Sequence, residues 1–313
     1  MRRCAILFAV VSLMLPVTAF AQTQTPEAAL NLFKNAVKKS GNGDLDGAIE
    51  DYTRAINLSS RFDTRKNAGN SFTVGSSEEI TVIDPFTANV YTNRGLARYQ
   101  KGDYSGAIED FNRALRIRPG LAMAYLNRAA ALRATDDLNG ALKDLDRAIA
   151  LEKDFFLAYN NRGSVHLDLG NHNAALADLN HAIKLNDDVA DTFYQRGYTY
   201  LGMKNFDAAV TDFNRAVRLA PEMAWAYQGR GTALMYKGQM LEAMQDFNRA
   251  LKYDPKLAWA YVNRGLVKVF LGDESEAQKD FAEGLSLKPE LKDELESRIN
   301  LARHLRRIGK SEE

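Results

Sequence analysis

The sequence of 313 residues predicts an all-α solenoid of repeated helix pairs, on three observations. Small residues recur every 34 positions, at Gly95, Gly163, Gly197, Gly231 and Gly265, with Ala129 in the remaining place. On the same lattice lie Ala107, Ala141, Ala175, Ala209, Ala243 and Ala277, each followed four residues later by a bulky side chain: Phe111, Leu145, Leu179, Phe213, Phe247 and Phe281. Ala114, Ala148, Ala182, Ala216, Ala250 and Gly284 come next, and Pro119, Pro221, Pro255 and Pro289 punctuate the ends. Two small slots let a pair of helices approach closely, and the bulky slot fills the space beside them.

Residues 1–21 read as a signal peptide: Arg2 and Arg3, an apolar run of about a dozen residues, then Ala19-Phe20-Ala21, with cleavage expected after Ala21. The run is short for a membrane span, and no later stretch approaches the ~18 apolar residues one needs. The mature chain is therefore expected to be exported, periplasmic or secreted, with no membrane span. Cleavage removes two arginines and the only cysteine, Cys4, and takes the net charge from +1 to −1. That balance argues against nucleic acid as a partner, and a chain without cysteine has no disulfide or thiol chemistry.

After a linker at 22–28, residues 29–58 form a divergent first repeat, with Ala36, Gly43-Asp44, Ala48, Tyr52 and Ala55 in the lattice slots. Residues 59–87 are expected to loop out, the closing proline being displaced to Pro85. Within them "SFTVGSSEEITVI" (71–83) alternates weakly about Gly-Ser-Ser, and a small hairpin and a flexible loop both fit. Six full units follow at 88–121, 122–155, 156–189, 190–223, 224–257 and 258–289. In "KGDY" (101–104), Gly102 can end a helix in the left-handed conformation, Asp103 can cap the next, and Pro119 belongs near the start of the one after. Residues 290–313 carry Leu291, Leu295, Ile299, Ala302 and Leu305 on one helical stripe, as a helix covering the open face of a last repeat would. Roughly fifteen helices result.

The G…A-x3-F…A…P pattern at a spacing of 34 resembles the tetratricopeptide repeat. The resemblance implies a right-handed superhelical solenoid of antiparallel helix pairs, and a non-catalytic scaffold that binds a peptide or protein segment in a concave groove lined by the first helix of each pair. The groove row Asn93, Asn127, Asn161 and Asn263 is similar to the asparagine ladder of O-GlcNAc transferase arrays, where an amide exchanges hydrogen bonds with an extended backbone; Gln195 and Gly229 interrupt it. Trp225 and Trp259, the two tryptophans of the chain, stand one repeat apart with Tyr194 and Tyr198 in the unit before, and aromatic side chains of this kind anchor interfaces. Two rival roles remain open: a structural assembly subunit working through edges and the 59–83 insertion, and a carbohydrate-binding accessory protein using the aromatics. No phosphate loop, H-E-x-x-H or cysteine cluster is present, so no enzyme activity, metal or cofactor is expected.

One further ladder asks for a reading. Arg94, Arg128, Arg162, Arg196, Arg230 and Arg264 each precede an aspartate by sixteen residues: Asp110, Asp144, Asp178, Asp212, Asp246 and Asp280. Folding an antiparallel pair around its turn brings the two slots level, which predicts a repeated structural ion pair rather than a ligand site. The divergent repeat keeps Asp51 but has Asn35 in the arginine slot, so a hydrogen bond at best is expected there.

Overall fold

The structure is a computed structural model and describes residues 26–67 and 85–311. The expected signal peptide, most of the linker and the 71–83 segment lie outside the described residues. Fifteen α-helices occupy the described residues: α1 Glu27–Gly41, α2 Leu45–Asn67, α3 Pro85–Lys101, α4 Tyr104–Ile117, α5 Ala122–Ala134, α6 Leu138–Leu151, α7 Phe156–Asp168, α8 His172–Leu185, α9 Ala190–Gly202, α10 Phe206–Leu219, α11 Ala224–Tyr236, α12 Met240–Tyr253, α13 Ala258–Leu271, α14 Glu274–Leu287 and α15 Lys292–Ser311. A 3-10 turn, Pro289–Leu291, precedes the last.

The turns follow from local chemistry. Gly43, Gly102, Gly170, Gly238 and Gly272 all have positive φ, and at the two turns without glycine Asp136 (φ 71°) and Lys204 (φ 59°) take the same conformation. Asp103, Asp137 and Asn205 then cap the following helix, each accepting a hydrogen bond from the backbone N–H three residues on (2.9, 2.8 and 3.2 Å). Lys204→Gly removes a Cβ clash at a left-handed position and is expected to stabilise the fold by about 0.5–1 kcal/mol. A lowered urea midpoint in that variant would contradict this account of the turn.

The chain divides into two compact units, one ending at Val165 and the other starting at His166. In the first, Phe33, Tyr52 and Phe86 pack with ring centroids 5.8 and 5.6 Å apart, and Phe111 and Leu145 are fully buried beside Ala107 and Ala141. The pairing is antiparallel, because contacts between α3 and α4 converge on the turn: the ring of Phe111 lies against Gly95, and Arg98 Nη1 donates to the Gly106 carbonyl (3.1 Å). In the second unit Phe213, Phe247 and Phe281 play the same part against Gly197, Gly231 and Gly265.

One boundary differs from the sequence reading. The segment 59–87 does not loop out throughout: α2 runs on to Asn67 and α3 begins at Pro85. Residues 59–67 contain neither proline nor glycine, so nothing in them stops a helix already started. Pro119 lies in the turn three residues before α5 starts at Ala122, near the start of that helix as expected. At the C-terminus Leu291, Leu295 and Ala302 are buried with Ile299 against Val262, Leu266 and Phe281, while Leu305 is nearly half exposed.

Candidate functional site

The arginine ladder is built the same way in both units. Arg94 holds Asp110 through two parallel bonds, Nε to Oδ2 (2.9 Å) and Nη2 to Oδ1 (2.6 Å). Arg128 with Asp144 (2.7 and 2.6 Å), Arg196 with Asp212 (2.7 and 2.7 Å), Arg230 with Asp246 (2.7 and 2.7 Å) and Arg264 with Asp280 (2.9 and 2.6 Å) repeat this geometry. These hydrogen bonds, against the opposing effect of burial, hold Arg128, Arg196 and Arg230 above the usual arginine value. Arg162 belongs to the first unit and its Nη1 donates to Asp146 (2.6 Å); Asp178 belongs to the second, with His166 Nε2 4.0 Å from it.

Three features of this ladder escape the sequence reading. The third nitrogen, Nη1, reaches back sixteen residues: Arg128 donates to Asn112, Arg196 to Asn180, Arg230 to Asn214 and Arg264 to Asn248 (2.6 to 2.8 Å), and Arg94 donates to Thr53 (2.9 Å). Each guanidinium also stacks 5.4–5.6 Å from the aromatic ring three residues before it, Tyr91, Tyr125, Tyr159, Phe193, Tyr227 and Tyr261 in order. A second cation slot lies one turn beyond the arginine: Arg98 and Lys268 add to Asp110 and Asp280 at 3.0 and 2.9 Å. In the divergent repeat this slot replaces the first, so Asp51 pairs with Lys39 at 2.6 Å rather than with Asn35. The signal was present, as a basic residue four positions after the ladder slot.

The asparagine row does not behave uniformly. Asn93 donates to the Asn89 carbonyl of its own helix (2.9 Å), which ties it down. Asn127 and Asn161 are 2% and 1% exposed, and neither end of either amide has a hydrogen-bond partner among the described residues. Beside them, the Asn89 and Asn160 amide oxygens are buried and also lack one. In the second unit Asn263 donates to Thr232 Oγ1 (3.1 Å) and accepts from Arg298 Nη2 of α15 (2.8 Å).

The aromatic group divides too. Tyr194 is 2% exposed, so it is a core ring rather than an open anchor. It packs 5.0 Å from Tyr198 and 6.0 Å from Phe213, and Tyr198 meets Phe213 edge-on at 5.6 Å. Gly197 and Gly229 flank Phe213 without side chains, which explains why glycine interrupts the amide row: a Cβ at Gly229 would lie 2.6 Å from the ring. Trp225 and Trp259 are half-buried, the first against the cluster formed by α11, α12 and the start of α13, the second against the α13–α15 cluster with the Arg298 guanidinium 5.4 Å from its ring. Among the described residues no group of His, Cys, Asp and Glu could hold a metal ion, and no helix is long and apolar enough to cross a membrane.

Models of the tetratricopeptide repeat match residues 88–121, 157–189, 190–223 and 260–291, and a model of the TPR repeat matches 231–272, together just over half of the chain. A tetratricopeptide repeat protein from Parabacteroides merdae is similar over 88% of this chain and 98% of its own, with 20% identity and a TM-score of 0.62. The Pseudomonas aeruginosa protein pilF is similar over 64% and 92%, with 20% identity and a TM-score of 0.58. At these identities the likeness shows the fold alone. No curated protein matches the chain. The 34-residue lattice, the helix pairs and the repeat models agree, and the chain belongs to the tetratricopeptide-repeat proteins, a family of typically non-catalytic scaffolds for protein interaction.

Proposed function

We propose that the chain is an exported, periplasmic scaffold that captures an extended segment of another polypeptide, with Asn127 of α5 and Asn161 of α7 bonding to the backbone of that segment. The observation that carries this reading is the pair of buried amides without partners among the described residues; both are as closed to solvent as Tyr194, so the segment has to displace the side chains that cover them as it binds. Each orphaned polar group costs about 1–3 kcal/mol, and no neighbouring group among the described residues offsets that cost. A peptide backbone offers a donor and an acceptor at nearly every residue, and one amide side chain can engage both. Trp225 and Trp259, half-buried in the second unit, offer a separate apolar surface there. Export is supported by the pattern of residues 1–21.

The test starts with protein recovered from periplasmic extract, whose N-terminus is sequenced and expected to begin at Gln22. A library of extended heptapeptides is then screened against it. Peptides so selected are expected to bind the Asn127→Ala/Asn161→Ala variant roughly tenfold or more weakly, the hydrogen bonds of both amides being lost. Backbone N-methylation of the peptide should have a similar effect. Selected peptides that bind variant and parent equally would remove the amide row from the function.

A second reading, an assembly subunit, draws on Leu301 and Leu305, which stand one turn apart on α15 and are 56% and 46% exposed. It is distinguished by the same screen, because it needs no peptide to bind.

A further inference from the structure

We propose that Arg298 of α15, set against Trp259 and Asn263 of α13, is a receptor for a carboxylate, so that the last helix supplies a binding residue as well as a cover. The carboxylate's belonging to an acidic polypeptide segment rests on the reading above; the guanidinium's receiving a carboxylate does not.

The ladder arginines Arg94, Arg128, Arg196, Arg230 and Arg264 are each neutralised by a carboxylate: two of the guanidinium N–H donors go to an aspartate and a third to a neighbouring asparagine or threonine. Arg298 is held differently. Its Nη2 donates to the neutral Asn263 Oδ1 (2.8 Å), its face covers the Trp259 ring at 5.4 Å, and the nearest carboxylate oxygen recorded for it, Glu294 Oε1, stands 3.9 Å away, too far for a hydrogen bond. That glutamate is itself more than half exposed. Burial lowers the Arg298 guanidinium from its usual value, the opposite of what the aspartates do for Arg128, Arg196 and Arg230.

The support beneath it is fixed. Asn263 Nδ2 donates to Thr232 Oγ1 (3.1 Å), and that hydroxyl donates to the Gln228 carbonyl (2.8 Å), so the amide oxygen facing Arg298 cannot turn away without breaking the chain. Thr232 and Gln228 lie on α11, one repeat earlier, and Gln228 Oε1 is buried without a partner among the described residues. The result is a positive charge oriented by a neutral relay and an indole face, with a fifth of its side chain still open to solvent. A planar fork with unused N–H donors matches the two oxygens of a carboxylate. A charge already partly withdrawn from water pays less of the desolvation cost when the ligand arrives.

The experiment uses the full chain and sodium succinate as the probe. The Arg298 Nε–H resonance is identified by its absence from the Arg298→Lys spectrum. Succinate is expected to displace it saturably, while sodium chloride of matched ionic strength does not and the aspartate-held Arg230 resonance stays in place. An Arg298 signal that moves no further in succinate than in chloride, or together with that of Arg230, overturns the receptor. In direct titrations, heptapeptides rich in aspartate and glutamate should lose roughly tenfold or more in affinity on Arg298→Gln, while their asparagine and glutamine counterparts are unaffected. Equal losses in both would show that Arg298 only braces α15, and would also overturn the proposal. A saturable succinate response in a chain that selects no peptide would leave the receptor standing and sink the peptide reading instead.

Discussion

Replacing Asp110 by asparagine is expected to destabilise the chain by about 3–5 kcal/mol, a large fraction of what a typical domain has to lose. Asp110 is fully buried and receives two guanidinium groups, Arg94 at 2.6 Å and Arg98 at 3.0 Å, whose side chains are 6% and 24% exposed. The substitution keeps the shape and removes the charge, leaving two cations withdrawn from water around one amide. The opposite case lies in the divergent repeat. Asp51→Asn removes the pair with Lys39, a lysine whose side chain is 39% exposed and stays solvated when its partner is lost, so the effect should be much smaller than at Asp110. Urea midpoints followed by helical circular dichroism compare the two variants directly. Equal, small effects would mean that the ladder is decorative and that the aromatic and alanine lattice alone carries the stability.

The second large effect concerns the closest approach of the paired helices. A methyl group at Gly231 would lie 2.9, 3.1 and 3.2 Å from three atoms of the buried Phe247 ring. Alanine gains up to about 1 kcal/mol of helix propensity over glycine, but overpacking a fully buried aromatic costs about 1–3 kcal/mol. Gly231→Ala should therefore be net destabilising by about 1–2 kcal/mol. The chain also contains the compensated form: where Ala129 stands in the glycine slot, the facing residue is Leu145, and both are completely buried. The double variant Gly231→Ala/Phe247→Leu should accordingly cost less than the sum of its parts, by about 1 kcal/mol or more. Additive losses would show that the two residues are not in each other's way.

These comparisons also show what the sequence reveals. The helix pairs, their turns and the burial of Phe111, Phe213 and Phe247 follow from the lattice, because close packing demands a small residue wherever two backbones meet. The aspartate partner of each arginine follows from counting around the turn. The asparagine that receives the third guanidinium nitrogen does not, since Asn112 or Asn214 is polar, lies on a helix and resembles any solvated residue until its neighbour is in place. Tyr194 was open to misreading for a related reason: its slot faces outward in principle, but Gly197 and Gly229 leave room for Phe213 beside it, and the tyrosine ring joins that cluster. The extension of α2 to Asn67 lay where the repeat pattern had already lapsed. Arg298 sits one position before Ile299 of the apolar stripe, and a stripe identifies what a helix covers, not which of its flanking charges reaches across.

The backward reach of the ladder has a consequence for how such an array can grow. A repeat carrying arginine, aspartate and asparagine brings a plug, its own lock, and a socket for whatever comes after it. A duplicated copy inserted between two others would meet the socket of its predecessor and present one to its successor, with no residue elsewhere needing to change. Length is then a free variable for the chain, while the junctions keep one geometry, with Asp146 in place of the asparagine at Arg162. The divergent first repeat offers Thr53 to Arg94 and takes Lys39 for its own aspartate, so the coupling chemistry changes where the array begins.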